Sequence, residues 1–193
     1  MFRTPTLMAF LLVAMVAGLV LAGSGTAWAQ NTTDVFWVAY YSGGATTQGG
    51  PGIGTVQVIN PGVSGGTLCA DIYVFDPRQE LKECCHCRIT PDGLLTLPVG
   101  FLTNNPANGL FGTNGVIKIV SDSGANCAEA APVPTPELRA WTSNPNNATL
   151  VESEFEPTPL SAQELFDLEV LCSGIPNQTG PGVCAEQNPA CNN

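Results

Sequence analysis

The sequence predicts an all-β fold, a Greek-key β-sandwich of immunoglobulin-like or related type, with one C-terminal helix and a disulfide-stapled tail. Three observations predict it. About eight short apolar or alternating segments recur between Gly, Pro, Asn and Asp clusters, the spacing of a two-sheet antiparallel domain. One late stretch alone has helical periodicity. Finally, the chain carries eight cysteines, an even count that reads as a disulfide framework once export is inferred.

Export is inferred from the first residues. Arg3 supplies a positive start, residues 7–21 (LMAFLLVAMVAGLVL) form an apolar run, and Ala27-Trp28-Ala29 is a small-x-small site before Gln30. This is the pattern of a secretory signal peptide spanning 1–29, cleaved to leave a single domain of residues 30–193. The apolar run is short for a membrane span, and no second one follows. The expectation is a secreted chain, extracellular or periplasmic, with no membrane insertion of the mature part.

The strands follow in order. DVFWVAYYS (34–42) is aromatic and β-branched and ends in the loop tract GGATTQGGPG; GTVQVINPG alternates Val56 and Val58 with polar neighbours. LCADIYVFD (68–76) is the strongest strand, and Asp76-Pro77 opens a type I turn into a hairpin with 81–89. Further strands are expected at 93–99, 115–121, 137–143 and 149–155, with the Pro-rich APVPTPE (131–137) as an extended crossover between sheets. Ser161 and Glu164 form a capping box; Leu165, Leu168, Leu171 and Cys172 recur at helical spacing, and Gly174 suits a left-handed cap. A helix over 162–172 is expected to cover one end or edge of the sandwich. Residues 175–193, with Cys184 and Cys191, have no periodicity and depend on bridges for order.

Six basic residues face sixteen acidic ones, a net charge of −10. An acidic protein repels phosphate backbones and anionic lipid, which argues against nucleic acid as a partner. Phosphate-binding Gly loops, calcium loops and zinc-protease motifs are absent from the sequence, and no cofactor is expected. A hydrolase would have to use His86, the only histidine, or one of many surface carboxylates, and no catalytic residue is assigned.

KECCHCRI (82–89) sets Cys84, Cys85 and Cys87 around that histidine. In a strand, Leu81, Cys85, Cys87 and Ile89 face the core, whereas Lys82, Cys84, His86 and Arg88 face outward to water. Glu83 falls on the core side and breaks the pattern. Pairing with 68–76 puts Ala70, Ile72 and Val74 inward and brings Asp71 near His86 on the outer face, alongside Tyr73 and Phe75. A tetrahedral metal site needs convergent ligands, and a flat strand points Cys84 and His86 away from Cys85 and Cys87. The cluster therefore reads as a disulfide node, and Cys69, Cys84, Cys85, Cys87, Cys127, Cys172, Cys184 and Cys191 are all expected in bridges. Cys127 and Cys172 are candidates for the inward pair, and Cys184 and Cys191 are near enough in sequence to bond each other, although either could instead reach Cys84 and tie down the tail. The competing reading is a small exported metal-binding (Cu or Zn) or redox protein using Cys85, His86 and Cys87.

LCADIYVFDPRQELKECCHCRITPDGL, followed by GVIKIVS, resembles a group of uncharacterised exported bacterial proteins. The resemblance implies export and a cysteine-bridged β fold, and brings no activity with it. The residues themselves point to a non-catalytic interaction or structural module with an unknown protein or carbohydrate partner. Asp71, Tyr73 and Phe75 are the candidate interaction face, unless the helix or the tail covers them.

Overall fold

The computed structural model describes residues 35–42, 54–102, 114–124, 127, 132–146, 149–174 and 191–192. All belong to one compact unit, Asn31–Asn193; the expected signal peptide, 1–29, lies outside them. The elements run β1 (Phe36–Ser42), β2 (Thr55–Ile59), β3 (Leu68–Phe75), β4 (Leu81–Ile89), β5 (Leu94–Pro98), a short α1 (Val99–Leu102), β6 (Asn114–Asp122), β7 (Arg139–Asn146), β8 (Thr149–Glu154), β9 (Glu156–Pro157), α2 (Ala162–Ser173) and β10 (Cys191–Asn192).

They form two antiparallel sheets, one in the order β10-β4-β3-β6-β1-β9 and one in the order β5-β2-β7-β8. The period-2 alternation of β2 is realised directly: Val56 and Val58 are buried, and their neighbours are half-exposed. Their partners on β5, Leu95 and Leu97, are buried in the same way. From the six-stranded sheet, Ile72, Val74, Ile117 and Ile119 meet these residues in one hydrophobic cluster. At roughly 1.5–3 kcal/mol per buried aliphatic side chain, this shared layer is the main force holding the sheets together.

β3 departs from alternation, because all eight of its residues are buried. It is flanked by β4 and β6 within the sheet, and it is covered on both faces. Inward, Ala70, Ile72 and Val74 join the shared core; outward, Tyr73 and Phe75 join a second cluster with Phe36, Val120 and Leu168 of α2. The outer face of this sheet is therefore not the wet surface that parity alone suggests. α2 shields it.

Two local details also differ from the sequence reading. The β3–β4 register shifts between Val74, opposite Glu83, and Phe75, opposite Leu81. The bulge inserts Lys82 as an extra residue and so turns Leu81 to the outer cluster with Phe75. At the helix end, Gly174 takes right-handed angles, φ −81 and ψ −11, and donates to Val170 and Leu171 carbonyls instead of forming a left-handed cap. At the other end Ser161 Oγ accepts from the Glu164 N–H at 3.0 Å as expected. The Glu164 carboxylate, however, does not reach back. It pairs with Lys118 of β6 at 2.6 Å, docking the first turn of α2 on the sheet.

The proline-rich segment does run extended. Pro134 forms an isolated bridge with Asp122, and the Thr135 N–H donates to the Ser121 carbonyl, continuing from the end of β6 toward β7.

Candidate functional site

The chemistry-bearing side chains gather on the outer face of β3 and β4, beneath α2. Antiparallel register sets Asp71 opposite His86 and Tyr73 opposite Cys84, all on outward parity. His86 Nδ1 lies 2.8 Å from Asp71 Oδ1. The Tyr73 hydroxyl donates to Glu169 Oε1 at 2.7 Å. Asp71 is 1 % exposed, Tyr73 is fully buried and His86 is 8 % exposed. Phe75 lies at the edge of the same layer, where the Lys118 ammonium sits 4.8 Å from its ring centroid.

Burial sets the proton affinities here. Withdrawal from water lifts the Asp71 carboxyl to about 6, against the opposing pull of His86 through its hydrogen bond and charge, while Asp122 and Glu169 add repulsion. For His86 desolvation is the largest single influence and works against the imidazolium. The hydrogen bond and charge of Asp71, with smaller help from Glu169 and Asp122, outweigh it and leave the imidazole above its ordinary value. Tyr73 is held firmly neutral, by burial first and then by the charges of Asp71 and Glu169. Both members of the Asp71–His86 pair thus hold protons more tightly than free side chains do. Asp71 Oδ2 is buried with no hydrogen-bond partner, so the charged carboxylate has one oxygen there without compensation for lost water.

The cysteines resolve into bridges. Cys69 bonds Cys127, Cys84 bonds Cys172 and Cys87 bonds Cys191. Cys85 is disulfide-bonded too, and among the described residues no cysteine is free. Cys84 and Cys87 do form separate long-range bridges. Their partners differ from those expected. Cys172 meets the outward Cys84 and no inward cysteine, because α2 lies on the outer face of the sheet. Cys127 closes on Cys69, whose outward position beside the end of β6 puts it within reach. Cys191 does not bond Cys184; it adds β10 to the sheet directly opposite Cys87. Position 184 lies outside the described residues.

A metal site built on Cys85, His86 and Cys87 is not assembled. Cys85 and Cys87 are in the inner cluster, His86 is on the opposite face with Asp71, and the two thiolates such a site needs are tied up in bridges. Among the described residues, no group of three His, Cys, Asp or Glu side chains converges as a metal-ligand set.

Asp71, Tyr73 and Phe75 do share one face, as hairpin parity implies, and it is the covered one. Sequence reasoning missed Glu169, which meets them from the helix. Its signal was present: Glu169 lies four residues after Leu165 and three before Cys172, inside the helix's docking stripe, where a carboxylate needs a partner. Beside this layer a groove of about 290 Å³ opens between α2 and the β3–β4 turn, lined by Phe75, Asp76, Lys118, Glu164, Leu168 and Leu171 among others.

No protein-family model and no curated protein matches the chain. Among solved structures, the Anabaena sensory rhodopsin transducer aligns at a TM-score of 0.38 with 13% sequence identity, over 62% of this chain and 94% of that one. No helix of the described residues is long and apolar enough to cross a membrane.

Proposed function

We propose that the chain is an exported, non-catalytic interaction or structural module whose two-sheet scaffold is locked by disulfides and presents its loops to a protein or carbohydrate partner. The observation that carries this reading is that every described cysteine is held in a disulfide. Bridges persist where the surroundings are oxidising, so their number supports an extracellular or periplasmic site of action. Their reach supports a scaffold role: they join residues 58, 88 and 104 positions apart, so each restrains much of the unfolded chain. On the loop-entropy view each contributes about 2–4 kcal/mol. With Tyr73 and Phe75 beneath the helix, recognition falls to the loops and to exposed side chains such as Tyr40 and Val63, which are 84 % and 79 % exposed.

Thiol titration of protein exported by its own cell tests this. No cysteine should react in denaturant before reduction, and all eight should react after it. Three or more free thiols together with stoichiometric zinc or copper would overturn the reading in favour of a metal-binding protein.

A further inference from the structure

The Cys84–Cys172 bond differs from Cys69–Cys127 and Cys87–Cys191 in three respects. Cys69, Cys85, Cys87, Cys127 and Cys191 are each no more than 2 % exposed, whereas Cys172 is half-buried near the end of α2, within reach of solvent. It joins the sheet to a helix whose only fully buried residue is Leu168, so the end of α2 can yield to an attacking group without disturbing the shared core. Lastly, it has a proton-bearing group beside it: His86 Nε2 lies 3.7 Å from Cys172 Sγ, while Nδ1 of the same ring is held by Asp71 at 2.8 Å.

We propose that Cys84–Cys172 is a thiol–disulfide exchange site for an external dithiol reductant, with His86 positioned to stabilise Cys172 as it leaves as a thiolate. One thiolate of the dithiol attacks the accessible Cys172 sulfur, forming a mixed disulfide and expelling the electron pair onto Cys84 Sγ as a thiolate. The second thiolate then attacks the dithiol's own sulfur in that mixed disulfide, closing the oxidised dithiol and releasing Cys172 as a thiolate. Two electrons pass from the dithiol to the bridge, and no other reactant is needed. Exchange favours a leaving thiol that is readily ionised.

What ionises Cys172 has to be His86. The C-terminus of α2 presents carbonyl oxygens with partial negative charge, which oppose a thiolate, and its last turn holds no basic residue. Glu169 on the same helix and Asp122 at the end of β6 oppose it as well. Asp71 on β3 fixes the ring so that Nε2 faces the sulfur. With the proton on either Asp71 or His86 Nδ1, a doubly loaded pair keeps an N–H on Nε2 to donate to sulfur. Cys85 has the opposite setting, fully buried with Glu83 Oε1 at 3.8 Å, where a thiolate is disfavoured.

The test is stepwise reduction of the folded protein by dithiothreitol, trapping with iodoacetamide and peptide mapping. Cys84 and Cys172 should be labelled first, while the other bridges stay closed. Labelling of another pair first, or of all bridges together, overturns the proposal. In the singly reduced wild-type protein, the pH profile of Cys172 alkylation should have its midpoint at least about one unit below the ~8.5 of a free thiol, equivalent to about tenfold more thiolate near neutral pH. A midpoint at or above ~8.5 removes His86 from the proposal. In His86→Gln the midpoint should move up and release of Cys172 from its mixed disulfide with the dithiol should slow by about tenfold, whereas unchanged values would overturn the role of His86. Should that variant not fold, the wild-type profile decides.

Discussion

His86 and Asp71 face each other across the β3–β4 hairpin with a 2.8 Å hydrogen bond between side chains 10 % and 1 % exposed. The pair takes up protons on folding, and this fixes the sign of a pH effect. Asp71 moves from 3.8 to about 6 and His86 moves above 6.5. Each group's contribution is fully present below its unfolded value and is lost as pH rises through its folded one. Asp76 is shifted down from 3.8 and Lys82 up from 10.5, so neither titrates between pH 5 and 8. The thermal midpoint should fall from pH 5 to pH 8, and Asp71→Asn should flatten the slope. A midpoint that rises over that range would contradict the assignment.

The helix is docked by few side chains, so its residues should separate sharply in mutational effect. Leu168→Ala removes a side chain 1 % exposed in the outer cluster and should cost about 2–5 kcal/mol in denaturant unfolding. Phe166→Ser, on the same helix at 61 % exposure, should stay within about 0.5 kcal/mol. Equal effects would mean that α2 does not dock through Leu168.

Gly115 lies opposite Tyr41 in the β1–β6 ladder, where an added Cβ would overlap the Phe75 carbonyl oxygen and the Tyr41 ring. The neighbours are backbone and a buried ring, neither able to move aside cheaply. Gly115→Ala should therefore destabilise the fold by about 1–3 kcal/mol or more, seen as a lower urea midpoint. A neutral result would show that β1 and β6 are spaced more widely.

Cys87 and Cys191 are bonded and in register, and this is how β10 joins the sheet. In the double variant Cys87→Ala/Cys191→Ala, β4 should become an edge strand. Amide exchange along its outer side should speed up, with about 2–5 kcal/mol of stability lost. Protection that survives the substitution would mean that strand pairing alone retains β10.

The strands were legible because each carried its own local signal. Val56 and Val58 alternate, Asp76-Pro77 punctuates the hairpin, and Ser161 caps α2; none of these depends on distant residues. Parity in the hairpin also placed Asp71 beside His86. What parity does not contain is what lies above a face. The outer surface read as wet because nothing in β3 or β4 says that a helix some 90 residues further on covers it, and the partners of Cys84 and Cys87 were out of reach for the same reason. Leu81 went astray on a single inserted residue, Lys82, since one bulge reverses every side chain beyond it.

The bridges Cys69–Cys127, Cys84–Cys172 and Cys87–Cys191 share a direction. A ribosome makes Cys69, Cys84, Cys85 and Cys87 before it makes Cys127, Cys172 or Cys191, so the earlier sulfurs spend time together with none of these native mates yet synthesised. The first oxidations open to the growing chain are the wrong ones, within KECCHCRI or from it to Cys69. Correct maturation then has to follow completion of the C-terminal third, with shuffling of any premature bonds. A cell lacking disulfide isomerase activity should accumulate this protein scrambled rather than merely slow to mature.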